Sequence, residues 1–115
     1  MSENCLFCKI VKGEIPSKKI WENEYCYAFA DIQPQAPMHA LIVPKRHVEG
    51  LDDLDGLSDE ELAACLRAAQ TVAEELGIEK SGYRLISNCG EHACQSVRHL
   101  HFHILGGRQM TGQMG

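Results

Sequence analysis

Long apolar runs are missing from this sequence. None approaches the roughly 18 consecutive residues that a membrane-spanning helix needs, and the first residues lack the charged and apolar pattern of a secretory signal. The expectation is a cytoplasmic protein with no membrane partner. Basic charge is scarce as well. Eleven Lys and Arg face 16 Asp and Glu, a formal net charge of -5 at pH 7. Nucleic-acid binders carry a basic surface, so this balance argues against a nucleic-acid partner. A small anionic ligand needs only a local pocket of donors and stays open. Seven of the acids, Glu49, Asp52, Asp53, Asp55, Asp59, Glu60 and Glu61, crowd into one stretch. Repeats, low-complexity tracts and linkers are absent too, and 115 residues leave no room for a second domain. The expectation is a single domain over residues 1–115.

What is present starts with six cysteines, at positions 5, 8, 26, 65, 89 and 94. In a reducing compartment they are not a disulfide framework. Cys26 and Cys65 read as small core residues on a strand and on a helix face. Residues 4–12 form a short helix broken by Gly13 and Pro16, and residues 19–22 and 26–30 form a hairpin. Two prolines make residues 32–37 an irregular loop, followed by a strand over 39–43. The clearest helix spans 59–76. Ser58 and Glu61 make a capping box, Gly77 ends it, and Leu62, Cys65, Leu66, Ala69, Val72, Ala73 and Leu76 form its apolar stripe. Residues 83–88 and 98–105 are the last strands. Short strands around one long helix predict an α+β fold: a five-stranded antiparallel sheet, covered on one face by the long helix, with a short N-terminal helix besides.

His99-Leu-His101-Phe-His103-Ile-Leu carries the most chemical information. On a strand, the period of two places the three imidazoles on one face and Leu100, Phe102 and Ile104 on the other, toward the helix. Imidazole has a reference pKa near 6.5, so at pH 7 it is largely neutral and nucleophilic without an activating base. A neighbouring imidazole can donate a proton or bond a phosphate oxygen. Upstream, the small and polar residues from Asn88 to Val97 form a loop whose hydroxyl, amides and backbone N–H groups can cradle a phosphate.

His-x-His-x-His followed by apolar residues resembles the signature of the histidine triad superfamily. The surroundings look like its Hint branch, the purine nucleoside phosphoramidases: Asp31-Ile-Gln-Pro-Gln-Ala-Pro37, His39-Ala-Leu-Ile-Val-Pro-Lys-Arg-His47, Asn88, Gln95-Ser-Val97 and Leu105-Gly-Gly-Arg-Gln-Met110 appear in family order. The resemblance implies that His101 attacks the α-phosphorus and is transiently nucleotidylated, a covalent mechanism in two displacements that requires no metal. It implies that His103 and Ser96 contact the phosphate and the departing atom, and that His39 supports them from the neighbouring strand. Asp31 would accept from the ribose hydroxyls, with Ile32 against the base. Asn88, Gln95 and the Val97 backbone would complete the phosphate and sugar contacts. Ala93 and Cys94 stand where close Hint relatives carry glycines, so Cys94 narrows the phosphate loop. His92 matches no family role and reads as solvent-exposed. The tail, Thr111 to Gly115, lacks the aromatic residues that some members lay against the partner subunit. The family pattern is a homodimer.

Cys5-Leu-Phe-Cys8 has the gap that lets two thiolates reach one zinc ion. Alone, it also reads as a redox pair or as two cysteines on a short helix, although no βαβ pattern surrounds it. Zinc needs two further ligands, and His47 and His99 are the candidates, an arrangement that zinc-bearing members of the superfamily use. Four protein ligands leave no open position for water, so the expected role is one structural zinc per chain. The function implied is hydrolysis of a purine nucleoside 5′-phosphoramidate, with an AMP- or GMP-type nucleotide as ligand. Two alternatives remain: a dinucleoside polyphosphate hydrolase, and a zinc-stabilised nucleotide-binding module without turnover.

Overall fold

The computed structural model describes residues 4–115. In chain order it contains α1 (Leu6–Val11), β1 (Lys19–Glu22), β2 (Cys26–Ala30), β3 (Met38–Pro44), α2 (Asp59–Leu76), β4 (Tyr83–Ile86) and β5 (Phe102–Gly106). The strands form one antiparallel sheet in the order β1-β2-β3-β5-β4. Short turns of 3₁₀ helix lie at Leu54–Gly56 and Glu91–Ala93. The α+β architecture with one long and one short helix is as the sequence predicts. No helix among the described residues is long and apolar enough to cross a membrane.

The ends of α2 follow from its sequence. The Ser58 hydroxyl accepts from the Glu61 N–H at 3.0 Å, and the Glu61 carboxylate accepts from the Ser58 N–H at 2.8 Å. Together they satisfy two of the N–H groups that a helix start leaves without partners. Gly77 closes the other end in the left-handed conformation, φ 73°. The buried face consists of Ala64, Cys65, Ala68, Ala69, Val72 and Ala73, packed on Ala28, Ala40, Ile42, Leu100, Phe102 and Ile104. Small residues on both sides bring the helix close to the sheet. Leu66 does not belong to that face: it is 56% exposed, because the buried line runs through Cys65 one position before it and Ala68 two after.

Two further expectations are corrected. The opposite face of the sheet is not bare, because Phe7 and Ile10 of α1 pack with Tyr27, Phe29, Leu41 and Val43 in a second apolar cluster. The last strand begins at Phe102 rather than at residue 98, and β4 ends at Ile86 rather than at residue 88. Before Phe102 the chain leaves the ladder to bond with the last residue of β3 and the segment after it. The Leu100 N–H donates to Val48 C=O at 2.8 Å, and the His99 ring bonds Pro44 C=O at 2.8 Å. The alternation survives the loss of strand structure: Leu100, Phe102 and Ile104 enter the core with α2.

Candidate functional site

The histidine run is divided between two corners of the molecule. At the first, Cys5, Cys8, His47 and His99 each turn one ligand atom into a space where all four atoms lie within 4.8 Å of one another. The separations are 3.3 Å from Cys5 Sγ to His99 Nδ1, 3.4 Å from Cys8 Sγ to His47 Nδ1, 3.5 Å from Cys8 Sγ to His99 Nδ1, and 3.1 Å between the two Nδ1 atoms. A tetrahedral zinc with ordinary bond lengths sets its ligands about 3.3 to 3.8 Å apart, from two nitrogens to two sulfurs, so the group fits a zinc ion. The donors are also prepared for it. Pro44 C=O can only accept, so the fully buried His99 carries its proton on Nε2 and offers a lone pair at Nδ1. Burial holds the His99 pKa down to about 4, despite that carbonyl, with His47 and His101 adding to the effect. The Cys8 N–H donates to Cys5 Sγ at 3.4 Å, inside the helix start that Cys5 caps.

At the second corner, His101 is 2% exposed, and its Nδ1 lies 2.7 Å from the His99 carbonyl. That bond fixes the proton on Nδ1 and leaves the Nε2 lone pair available. Burial lowers the His101 pKa against the opposing pull of the carbonyl and Asp31. The Phe7 ring, between the two cysteines in sequence, stands edge-on to His101 with centroids 5.0 Å apart and 6.0 Å from His99. Nothing in the C-x-x-C spacing announced that contact. His103 lies beside His101, centroids 5.1 Å apart at 65°. Its Nδ1 is 2.9 Å from His39 Nε2, and Asp31 Oδ2 is 3.4 Å from that same Nε2. Burial, then the neighbouring His101 and His39, press the His103 pKa down to about 4. Burial also lowers that of His39, opposed by Asp31. The second oxygen of Asp31 accepts from the Gln33 N–H at 2.8 Å, which holds the carboxylate in place.

The loop after β4 is held by its own side chains. Ser87 Oγ donates to the His101 carbonyl at 2.8 Å, an anchor that sequence reasoning missed. Gln95 accepts from the Gly90 N–H at 2.9 Å and donates to Glu49 C=O and Val97 C=O, at 2.6 and 3.0 Å. Its amide closes the loop and is occupied there. Cys94 takes the left-handed conformation, φ 61°, with an exposed thiol, in a region of backbone space where glycine is at ease. His92 is exposed, as expected. Ser96 lines a cleft of about 470 Å³ with Cys5, Leu6, His47 and Val97. Ile32 is 94% exposed beside Asp31. Among the described residues, no hydrogen bond joins Ser96, Asn88 or Ile32 to the histidines. The structure thus brings Asp31, His39, His101 and His103 together, and Cys5, Cys8, His47 and His99 together. Of the loop residues, Ser96 and Val97 share a cleft with Cys5 and His47, and Gln95 is bonded within the loop and to Glu49.

Residues 12–110 match the HIT domain family. Among proteins of known sequence, the chain is 40% identical over 110 residues to a purine nucleoside phosphoramidase of Escherichia coli, covering 96% of this chain and 92% of that protein. It is 46% identical over 108 residues to a HIT-like protein of Azospirillum brasilense, covering 93% and 88%. Among solved structures, a HIT family hydrolase from Clostridium thermocellum superposes with a TM-score of 0.93 at 47% identity over 97% of each chain. A histidine triad nucleotide-binding protein from Candida albicans gives 0.81 at 35% identity, over 97% of this chain and 87% of its own. On the fold, the paired histidine corners and these likenesses, the chain belongs to the HIT domain family.

Proposed function

We propose that this protein hydrolyses the P–N bond of purine nucleoside 5′-phosphoramidates through a nucleotidyl-histidine at His101. The observation that carries the reading is the bond from His101 Nδ1–H to the His99 carbonyl. It holds the ring in the one tautomer whose Nε2 is basic, in a setting that keeps it neutral near pH 7. The phosphoramidase from E. coli, as a relative, supports the choice of substrate.

In the first displacement, the His101 Nε2 lone pair bonds to phosphorus and the P–N bond breaks. The leaving nitrogen takes its electron pair and a proton, relayed from solvent through the Ser96 hydroxyl, and departs as a neutral amine. The positive charge that develops on the imidazole is met by the His99 carbonyl. In the second displacement, water attacks phosphorus, His101 leaves as a neutral imidazole, and the water's proton passes to solvent. His103 donates to a phosphate oxygen, with His39 behind it. Asp31 accepts from the ribose hydroxyls with Ile32 against the base, and Asn88, Cys94, Gln95 and the Val97 backbone shape the phosphate loop.

Zinc at Cys5, Cys8, His47 and His99 would supply structural cross-linking between α1, the end of β3 and the segment before β5. The reaction itself calls on no metal. The reading includes a reducing, cytoplasmic setting, supported by six free thiols. It also includes a homodimer, supported by the open edge that β4 leaves at the end of the sheet. One assay decides the substrate: adenosine phosphoramidate and diadenosine tetraphosphate are offered in parallel. Faster release of AMP from the phosphoramidate is expected. Faster cleavage of the tetraphosphate would make the protein a dinucleoside polyphosphate hydrolase, and turnover of neither would leave a binding module.

A further inference from the structure

The loop between β2 and β3 places the Gln35 backbone N–H 2.9 Å from His39 Nδ1. A backbone amide can only donate, so His39 Nδ1 must hold a lone pair, and the neutral ring carries its proton on Nε2. That atom faces His103 Nδ1 at 2.9 Å, with Asp31 Oδ2 farther off at 3.4 Å. His103 must then accept at Nδ1 and carry its own proton on Nε2. One main-chain N–H thus dictates the protons of two imidazoles in series, through bonds of ordinary length.

We propose that Gln35 is a positioning residue whose main-chain N–H sets His103 as a fixed Nε2–H donor toward the phosphate. The inference deepens the proposed reaction and rests on it for the identity of the acceptor. The device suits the chemistry. A donor aimed where charge grows helps only if it is already oriented when charge appears, and a free imidazole would divide its proton between two nitrogens. The Gln35 side chain takes no part. Asp31, His39 and His103 also have their ligand atoms within 4.8 Å of one another, which invites a second metal site. The same N–H argues against it. For neutral His39 to bind a cation through Nε2, its proton would have to move to Nδ1, against a donor that cannot turn away. The cluster is a chain of hydrogen bonds.

The test is the tautomer itself, read from imidazole ¹⁵N shifts and long-range ¹H–¹⁵N correlations of the wild-type protein near pH 7. His39 and His103 should both show the Nε2–H pattern and His101 the Nδ1–H pattern. His39 or His103 found as Nδ1–H overturns the proposal, whatever the enzyme turns over. Gln35→Pro removes the N–H, and Gln35→Ala keeps it. With proline, the single-tautomer pattern of His103 should be lost and kcat should fall about tenfold or more with KM little changed; alanine should restore both. Unaltered tautomers and kcat in a folded Gln35→Pro protein would also overturn it. If the proline variant does not fold, replacing the Gln35 amide by an ester removes the same N–H, with the same two outcomes. A wild type with the expected tautomers and no phosphoramidase activity would sink the proposed function alone.

Discussion

His99 and His101 are neighbours but one in the same segment, both buried, and their rings are held with the proton on opposite nitrogens. His99 gives its Nε2 proton to Pro44 C=O and turns Nδ1 toward two cysteines and His47. His101 gives its Nδ1 proton to the carbonyl of His99 and leaves a lone pair at Nε2. The residue type is the same, and the main-chain acceptor that claims one nitrogen decides the role of the other. A bond to the far ring nitrogen fixes both the basicity of an imidazole ligand and the orientation of an imidazole nucleophile. The proposed metal corner and the proposed reaction corner share the His99 residue, one through its ring and the other through its carbonyl.

Removing His101 should have the largest effect. His101→Gly should lower kcat by about 10³-fold or more, since a covalent route has no substitute nucleophile. AMP binding should stay within about tenfold, or 1.4 kcal/mol, measured by calorimetry. Retention of most of the activity would move the nucleophile elsewhere. The metal corner should answer in stability. Cys5→Ala with Cys8→Ala should abolish zinc in elemental analysis and lower Tm by about 10 °C or more, as loss of a ligand specific to the folded state requires. Turnover should persist at temperatures where that variant is still folded. A zinc-restored activity without any change in Tm would make the metal catalytic.

Smaller effects sharpen the division. Asp31→Asn should weaken ribonucleotide binding by about tenfold and erase discrimination against 2′-deoxyribonucleotides, because a charged acceptor bonds a hydroxyl more strongly than an amide does. A wild type blind to the 2′-hydroxyl would take Asp31 away from the ribose. The pH dependence of stability should come partly from His103. Its folded pKa is about 4 against an ordinary 6.5, so between those values the unfolded chain binds more protons. Its contribution is present above pH 6.5 and is lost as pH falls toward 4. Tm should decline over that window, and less steeply in His103→Asn. The smallest effect belongs to Cys94. With φ at 61°, Cys94→Gly should relieve strain and change stability by only about 1 kcal/mol, seen as a small rise in Tm.

Local signals in the sequence were reliable where local bonds decide the structure. The Ser58–Glu61 box and Gly77 bounded α2 to the residue, and the hairpin of β1 and β2 fell where the turn at Asn23 placed it. Asn23 Oδ1 accepts from the N–H groups of Tyr25 and Cys26, at 2.9 and 2.8 Å. The alternation from His99 to Ile104 gave the two faces correctly but overextended β5, since bonds to Pro44 and Val48 replace the ladder there. The histidine and cysteine groupings were readable as residue types in a family pattern. What decides their protonation was not: Gln35 N–H, Pro44 C=O and His99 C=O are main-chain groups, identical in every sequence. In the sequence Phe7 is only a residue of a short helix between two cysteines, and the fold alone sets its ring against His101.

The central claim is that His101 Nε2 forms the bond to phosphorus. Rapid quenching of the enzyme with adenosine phosphoramidate, followed by mass mapping of the adduct, tests it most directly. One adenylyl group is expected on the peptide containing His101, placed on that ring by fragmentation, appearing and decaying at least as fast as turnover. An adduct on another residue, or turnover with no covalent adduct at any quench time, would contradict it.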